Sequence, residues 1–434
     1  MTERVYLHVG APKSGTTYLQ RVLDGNRAAL RAAGVLVVGE RHLDRIHAAM
    51  VVRDDPRLDD LTRSARTSWS RLVREIGDWG GPAAVLSYEL FSVASAEQAA
   101  GALADLAAYD VHVVVTARDL GRSVVSAWQE RLKFGLTKPL EEWQPKPEAT
   151  ENSEWGWRTL DPSGVAERWG GTLPPDRVHV VTAPRPDAGP AALWDRFADA
   201  CGLTAVPVDV AVPRVNESLG VVQAELLRRV NADLRKHIAG SRERSVWIRD
   251  LLAQGVLASL GRERIGVPAA QAAEATEVWK RATERIQGAG YAVHGDLADL
   301  EPAPSDDRLP SQVTDAELAA AGAACISALV TTMRDHASGE GPSEDAVPVA
   351  APEPGRRDRV RNLAARATGP YTNARVRRLT RRVDELEREV QQARRLHLRV
   401  ATLQDVVTEL LLDPDVRDTG VTSDALSRYR RDGL

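Results

Sequence analysis

The sequence predicts an α/β protein built on a parallel sheet, followed by a helical extension and a helical tail. Three observations support this fold class. Short apolar runs alternate with segments of helical periodicity as far as residue 202. The runs lack polar alternation, which is typical of strands covered on both faces. Beyond residue 213 strand-like runs are no longer found, and helical periodicity dominates.

Five strands are predicted in the first half of the chain, at residues 5–9, 35–38, 83–87, 111–116 and 178–182. Helices are predicted between and after them, at residues 16–33, 42–53, 59–78, 95–108, 121–133, 189–202, 217–237, 244–259, 269–288 and 314–335. Strands that alternate with helices indicate βαβ units, whose strands run parallel.

Composition excludes several classes of protein. The 434 residues carry a net charge of -4, which argues against a general nucleic-acid binder. Two cysteines, Cys201 and Cys325, cannot form a disulfide framework, so we expect a reducing, cytoplasmic location. We expect no membrane span and no signal peptide, because we find no 18-residue apolar run and no leader-like N-terminus.

The chain divides by pattern into four parts. Residues 1–215 form the predicted core, residues 216–336 a helical extension that completes it, residues 337–356 a linker rich in Pro, Gly and acidic residues, and residues 357–434 a helical tail. Apolar residues recur by three and four across residues 376–410, with one phase slip. This pattern predicts a coiled coil and a homo-oligomer, with a single amphipathic helix folded onto the core as the alternative.

A glycine-bounded loop lies between the first predicted strand and the first predicted helix. Residues 10–17 read Gly-Ala-Pro-Lys-Ser-Gly-Thr-Thr. Backbone amides in such a turn, together with the positive end of the helix dipole, form a binding site for an anion. The hydroxyls of Thr16 and Thr17 add hydrogen-bond donors, and Lys13 adds a cation.

This loop differs from the phosphate loop of nucleoside triphosphatases. The spacing of Gly10 and Gly15 matches that motif, which places Lys and then Ser or Thr directly after the second glycine. Here Thr16 stands in the lysine position, and Lys13 precedes Gly15 by two residues. The hydroxyl that would bind Mg²⁺ is therefore not specified, and we expect no metal. The pattern suits sulfuryl transfer better than phosphoryl transfer.

The stretch Leu-His-Val-Gly-Ala-Pro-Lys-Ser-Gly-Thr-Thr-Tyr-Leu-Gln, residues 7–20, resembles the 5′-phosphosulfate loop of the sulfotransferase family. The resemblance covers roughly residues 4–202 and implies a P-loop-like core with 3′-phosphoadenosine 5′-phosphosulfate as co-substrate. In that family the loop lysine contacts the oxygen that bridges phosphate and sulfur, a role that falls on Lys13. A turn that binds an unrelated anion is the alternative. The loop residues that the resemblance assigns to the donor are Lys13, Ser14, Gly15, Thr16 and Thr17.

A second donor element follows the fourth predicted strand. Family members carry an arginine at the strand end and a serine eight residues later, and both bind the 3′-phosphate of the donor. Arg118 and Ser126 have this spacing. A guanidinium at the carboxyl edge of a parallel sheet can hold a phosphate through two hydrogen bonds. Arg122 and Ser123 are the alternatives if the turn has another shape, and an ion pair with Asp119 is the structural alternative for Arg118.

Sulfuryl transfer requires a base that removes the proton of the acceptor hydroxyl. Some family members use a histidine after the third strand, and others, including carbohydrate sulfotransferases, use a glutamate. Glu89 stands at that position, although it could instead stabilise a helix start. His47 is a further candidate that could face the pocket from a helix. His8, inside a strand, is interpreted as a core histidine.

The acceptor region is predicted in the insertion at residues 133–162. This insertion contains three of the six lysines of the chain together with three tryptophans. Aromatic faces suit sugar rings or apolar acceptors and lysines suit anionic ones, but a lid that only packs on the core is equally compatible. Further along the chain, Arg214 is a substitute for the family's Arg-Lys-Gly loop, which is absent here.

The sequence therefore predicts transfer of a sulfuryl group to the hydroxyl of a carbohydrate, a lipid or a small molecule, with Glu89 as base and Lys13 on the leaving oxygen. A Mg²⁺-dependent nucleotide kinase is the rival enzyme. A coiled-coil scaffold with an inactive nucleotide fold is the rival from another class.

Overall fold

A central sheet of parallel strands organises the protein. The computed structural model describes residues 2–151, 153–185, 188–189, 191–211, 218–238 and 240–338. The strands in these ranges are β1 (Arg4–Gly10), β2 (Val35–Val37), β3 (Ala83–Ser87), β4 (Asp110–Ala117), β5 (Val178–Thr182) and β6 (Ala292–His294). They pair in the order β2-β3-β1-β4-β5-β6, and every pairing is parallel. The predicted parallel α/β class is confirmed.

Strand β1 lies at the centre of the sheet and is covered on both faces. Leu7 pairs with Leu86 of β3 on one side and with Val113 of β4 on the other. The side chains of Val5, Leu7 and Val9 are fully buried in one hydrophobic core, whereas Tyr6 belongs to the core on the opposite face. Burial on both faces explains why the strand shows no polar alternation.

Helices cover both faces of the sheet and form the second half of the described chain. The α-helices are α1 (Thr16–Gly25), α2 (Arg27–Ala32), α3 (His42–Val52), α4 (Arg63–Arg66), α5 (Ser68–Asp78), α6 (Ala96–Ala104), α7 (Leu120–Lys133), α8 (Trp157–Leu160), α9 (Pro162–Gly170), α10 (Ala192–Ala200), α11 (Val221–Leu234), α12 (Ser241–Glu243), α13 (Ala258–Leu260), α14 (Ala269–Ala289) and α15 (Asp315–Ser338). A π-helix spans Arg244–Leu257, and short 3₁₀ turns include Glu89–Val93 and Leu140–Glu142.

Two expectations for the second half were wrong. The strands do not end before residue 213, because β6 pairs with β5 through Val293 and Val180. Three residues are too few to show a periodicity, and this strand forms through its tertiary pairing. The segment expected as an α-helix over residues 244–259 is instead mostly a π-helix, which the spacing of apolar residues does not distinguish from an α-helix.

The helical extension packs around α7 in a second hydrophobic core. Trp128 of α7 is fully buried there with residues of α11, the π-helix and α14. All described residues belong to one compact unit, residues 1–341. Helix α15 continues to Ser338, two residues into the predicted linker. The rest of that linker, the predicted helical tail and the heptad pattern of residues 376–410 lie outside the described residues.

Helix α15 is long and apolar. By length and composition alone, residues Asp315–Arg334 could cross a membrane. One such helix among the described residues is weak evidence for a membrane span. Leu318, Ala321 and Cys325 are nevertheless buried on the side that packs against α11. Ile326 and Val330 remain exposed on the helix.

Three histidines form a hydrogen-bonded string across one face of the sheet. His112 of β4 lies 2.8 Å from His179 of β5, which lies 2.9 Å from His294 of β6. The string ends on carboxylates, with Asp110 3.3 Å from His112 and Asp199 2.6 Å from His294. Burial, with His112 and His294 nearby, lowers the pKa of His179 to about 4. The sequence analysis assigned no role to these histidines.

Candidate functional site

The glycine loop connects the end of β1 to the start of α1. The backbone has positive φ at Gly10 (114°), Lys13 (64°) and Gly15 (94°). Glycine is favoured at position 15, because its φ of 94° lies in the left-handed region that residues with a Cβ rarely adopt. Gly15 caps α1 without a side-chain hydrogen bond. The backbone amides of residues 13–15 donate no hydrogen bond to any described residue, so these donors are available to an anion.

A buried chain of hydrogen bonds fixes the floor of the loop. The Ser14 hydroxyl donates to the carbonyl of Ala11 at 2.6 Å and lies 2.5 Å from the hydroxyl of Thr116. Thr116 contacts His8 at 3.1 Å, and His8 contacts Ser87 at 2.8 Å. Ser14 therefore shapes the loop through its side chain. His8 is fully buried, as expected of a core histidine, and burial lowers its pKa to about 3.

The side chain of Lys13 is held by Glu130 of α7. Its Nζ donates to Glu130 Oε1 at 3.0 Å, and Lys133 Nζ donates to the same oxygen at 2.8 Å. Burial by itself would raise the pKa of Glu130, but the two ammonium groups outweigh it and lower the pKa. The carboxylate is consequently charged at neutral pH. The sequence analysis did not single out Glu130, which lies 117 residues from Lys13.

Arg118 follows β4 and contacts the glycine loop from the neighbouring strand. Its Nη1 donates to the backbone carbonyl of Lys13 at 3.1 Å. Within the described ranges Arg118 makes no ion pair. Asp119, the expected partner, accepts hydrogen bonds from the backbone amides of Arg122 and Ala303 instead. Burial lowers the pKa of Arg118, which nevertheless stays charged at neutral pH. Most of its guanidinium donors are therefore available to a ligand.

The alternatives Arg122 and Ser123 make structural contacts. Arg122 donates to Asp307 at 2.6 Å and to the carbonyl of Ile265 at 3.0 Å. The Ser123 hydroxyl donates to the Asp119 carbonyl. Ser126 is half-buried on α7, and its hydroxyl has no hydrogen-bond partner among the described residues.

Glu89 begins the 3₁₀ turn after β3 and is half-buried. Its Oε2 accepts a hydrogen bond from Gln20 Nε2 of α1 at 2.8 Å. Glu89, the glycine loop and Arg118 follow the adjacent strands β3, β1 and β4, so they share the carboxyl edge of the sheet. This edge is the usual location of ligands in open α/β sheets.

A cavity of about 650 Å³ lies at this edge. Lys13, Thr16, Thr17 and Glu89 line it, whereas Ser14, Gly15, Arg118, Ser126 and His47 do not. The other lining residues that carry charge are Arg21, Asp24, Arg53, Arg57, Glu130, Glu154, Arg249 and Asp250. Side chains of both signs therefore line the cavity.

A different histidine from the expected one faces this cavity. His42, at the start of α3, lines it, and the centre of its ring lies 5.6 Å from the centre of the Tyr88 ring in an edge-to-face arrangement. Burial, followed by the charge of Arg45, lowers the pKa of His42. His47 lies on the same helix five residues later, outside the cavity lining, and the charges that act on it are Asp44, Arg71 and Arg41. Ile46 and Met50 also line the cavity. They follow His42 at intervals of four residues, and this helical spacing is the signal that could have identified His42 on this face.

One wall of the cavity is an ion-pair network between α3 and the insertion. Arg53 donates to Asp55 at 2.5 Å and to Glu154 at 2.7 Å, and Arg57 donates to the same two carboxylates. Burial alone would raise the pKa of Asp55, but the hydrogen bonds and charges of the two arginines lower it to about 2. The network anchors the insertion, through Glu154, next to the glycine loop.

The helical extension also contributes to the cavity. Arg249, Asp250 and Gln254 reach it from the π-helix, and Arg249 lies 5.7 Å from the ring centre of Phe134. The sequence predicts little function in this region. Long-range packing brings these residues to the site, so no local pattern identifies them. Arg214 lies outside the described residues. Among the residues that the structure does describe, no cluster of three or more His, Cys, Asp or Glu side chains could hold a metal ion.

The fold and this edge define an α/β protein with a glycine-bounded loop beside a cavity lined by charged side chains. Residues 379–433 match a known family, a domain of unknown function (DUF6752). This region does not include the loop or the cavity. Neither the curated proteins nor the solved structures contain a match to the chain.

Proposed function

We propose that this chain is a sulfotransferase that moves a sulfuryl group from 3′-phosphoadenosine 5′-phosphosulfate to an acceptor hydroxyl. The observation that carries this proposal is the position of Lys13 and Glu89 on one cavity, with Arg118 bound to the backbone of Lys13. A leaving-group cation, a base and a second anion-binding group are thereby brought to one sheet edge.

The donor would bind along the glycine loop and the start of α7. The available amides of residues 13–15 suit the 5′-phosphosulfate, and the hydroxyls of Thr16 and Thr17 stand at the positive end of α1. Arg118 and Ser126 retain available donors for the 3′-phosphate, whereas Arg122 and Ser123 are engaged elsewhere. This contrast supports the first pair as the phosphate ligands.

The chemistry would be an in-line displacement at sulfur. The acceptor oxygen forms the new bond to sulfur as the bond from sulfur to the 5′-phosphate oxygen breaks. Glu89 receives the hydroxyl proton, and its hydrogen bond from Gln20 fixes the orientation of the carboxylate. Lys13 stabilises the charge that develops on the departing phosphate oxygen.

A second cavity of about 600 Å³ supports the location of the acceptor. It shares Arg53, Arg57, Glu154 and Trp155 with the first cavity, so the two adjoin. Its remaining lining includes Trp143, Arg131 and Lys146. Indole faces beside exposed cations suit a ring-bearing hydroxyl compound, and a carbohydrate is the acceptor class that we favour.

Calorimetry with 3′-phosphoadenosine 5′-phosphate, with and without Mg²⁺, tests the donor assignment. We expect binding that does not depend on the metal and that weakens at least tenfold in Arg118→Ala, because a charge-assisted phosphate contact is lost. Arg281→Ala is the control, since this arginine is exposed on α14, lines neither cavity and should leave binding unchanged.

The rivals give different results in the same experiment. Binding of ATP that requires Mg²⁺ would indicate a kinase and contradict the proposal. Binding of neither nucleotide would favour a scaffold with an inactive nucleotide fold.

A further inference from the structure

We infer that Glu130 is a positioning residue that holds Lys13 while the donor is absent and releases it when the donor binds. This inference rests on the proposed function. It concerns a residue that neither the loop pattern nor the family resemblance identifies.

The geometry places Lys13 between two groups of the same βα unit. Arg118, at the end of β4, holds its backbone carbonyl at 3.1 Å, and Glu130, on α7, holds its ammonium at 3.0 Å. Glu130 lies four residues after Ser126, so the two residues share a face of the helix. Ser126, one of the two residues proposed for the 3′-phosphate, thus lies one helical turn before the residue that holds the lysine.

The lysine cannot serve the donor while its ammonium remains on Glu130. A leaving-group role requires Nζ to approach the bridging oxygen, and this competes with the ion pair. The pair is largely shielded from solvent, with 22% of the Lys13 side chain and 10% of the Glu130 side chain exposed. Competition from a shielded carboxylate therefore opposes donor binding.

Lys133 makes the release possible. If Lys13 moved away and no other cation were present, the Glu130 carboxylate would be buried without a compensating charge, which costs free energy. Lys133 Nζ lies 2.8 Å from the same oxygen, and its side chain is only 1% exposed. The carboxylate would consequently keep one cation after Lys13 moves to the donor. Because two lysines share one oxygen, the contact with Lys13 can be given up while the contact with Lys133 remains.

This role predicts effects of opposite sign for the two partners. Glu130→Gln removes the competitor, so we expect the KM and Kd for 3′-phosphoadenosine 5′-phosphosulfate to fall roughly three- to tenfold. In Lys133→Met, Lys13 is the lysine that remains to compensate the charge of Glu130. Its release then costs more free energy, so the same KM and Kd should rise by a similar factor. A purely structural role would weaken donor binding in both variants.

Further variants connect the effect to Lys13. In a Lys13→Ala background, Glu130→Gln should cause no additional change, because the competition no longer exists. Glu130→Asp keeps the charge and should remain closer to the parent protein. If Glu130→Gln does not fold because the buried Lys133 loses its ion pair with Glu130, the double variant Glu130→Gln/Lys133→Met replaces it and should also bind the donor more tightly.

The outcomes distinguish this inference from the proposed function. If the parent protein binds the donor, and Glu130→Gln and its double variant leave the affinity unchanged or weaker, the positioning role is wrong and the sulfotransferase proposal survives. If the parent protein binds neither 3′-phosphoadenosine 5′-phosphosulfate nor 3′-phosphoadenosine 5′-phosphate, both are overturned.

Discussion

Gly10 packs directly against the backbone of Glu89. A Cβ at position 10 would lie 2.5 Å from the carbonyl oxygen of Glu89, and the φ of Gly10 is 114°. The first glycine of the loop and the proposed base are therefore in contact through their backbones. Any side chain at position 10 must displace the 3₁₀ turn that carries the base.

Replacement of Gly10 by alanine tests this contact. We expect Gly10→Ala to lower the free energy of unfolding by about 2–4 kcal/mol, since it combines an unfavourable φ with a backbone clash. Urea unfolding measures the change. Gly25→Ala is the control, because a Cβ at Gly25 meets no atom within 4 Å. Similar losses in both variants would contradict the contact.

Replacement of Glu89 by glutamine tests the proposed base. Glu89→Gln keeps an oxygen that can accept from Gln20 but cannot take a proton at neutral pH, so we expect turnover to fall about 10²–10⁴-fold with donor affinity retained. Assays with labelled donor and a carbohydrate acceptor mixture measure the rate. Glu97→Gln, at an exposed glutamate of α6, is the control. Turnover within threefold of the parent rate would remove Glu89 from this role.

Acid stability should depend on His8. Its pKa of about 3 in the folded protein lies below the ordinary value of 6.5, so folding favours the neutral ring. The stability from this preference is complete above pH 6.5 and declines as the pH falls toward 3. Between pH 6.5 and 4.5 we expect a loss of about 2–3 kcal/mol, which His8→Asn should reduce.

Urea unfolding over this pH range measures the effect of His8. The exposed His237 provides the matched control, since His237→Asn should reproduce the parent profile. An unchanged acid limb in His8→Asn would show that other groups determine the acid sensitivity.

The ion-pair network of the cavity wall should stabilise both the fold and the acceptor site. Glu154→Gln removes one of the two carboxylates on the buried Arg53, and we expect a destabilisation of about 1–2 kcal/mol. The KM for the acceptor should rise, because Glu154 lines the second cavity. The Kd for 3′-phosphoadenosine 5′-phosphate should stay constant, because the Glu154 carboxylate binds Arg53 and Arg57 and none of the residues proposed for the donor. Glu151→Gln, at an exposed site of the same insertion, is the control. Equal changes in both variants would argue against a specific role for the wall.

The central strands could be predicted because burial on both faces leaves a continuous apolar run, as in Val113–Val115 of β4. The position of Glu89 could be predicted for a related reason, since consecutive parallel strands end at one edge of the sheet. By contrast, β6 has three residues, and its formation depends on pairing with β5. Local periodicity cannot predict such a strand.

The contacts of the site were harder to predict than its location. Glu130 reaches Lys13 across 117 residues, and Arg249 enters from a π-helix in the second half of the chain. His42 rather than His47 faces the cavity because a helix rotates by about 100° per residue, so a shift of five positions changes the face. A sequence motif identifies the loop, but packing between elements far apart in the chain determines which side chains surround it.

The histidine string on the sheet has fewer ring hydrogens than hydrogen-bond links while its imidazoles are neutral. Three neutral imidazoles carry three ring hydrogens, whereas the string from Asp110 to Asp199 contains four links. One link therefore lacks a hydrogen until the string takes up another proton. The longest link, 3.3 Å between His112 and Asp110, is the one that the distances single out.

The tautomers of the three rings are consequently coupled. If His294 directs its hydrogen to Asp199, then His179 and His112 must direct theirs the same way, and the bare nitrogen faces Asp110. Arg4 and Arg177 already bind Asp110, which lets this carboxylate tolerate the bare nitrogen. With that tautomer the three ring dipoles point the same way along the sheet, and a single proton gained beside Asp110 completes the row without reorienting any ring.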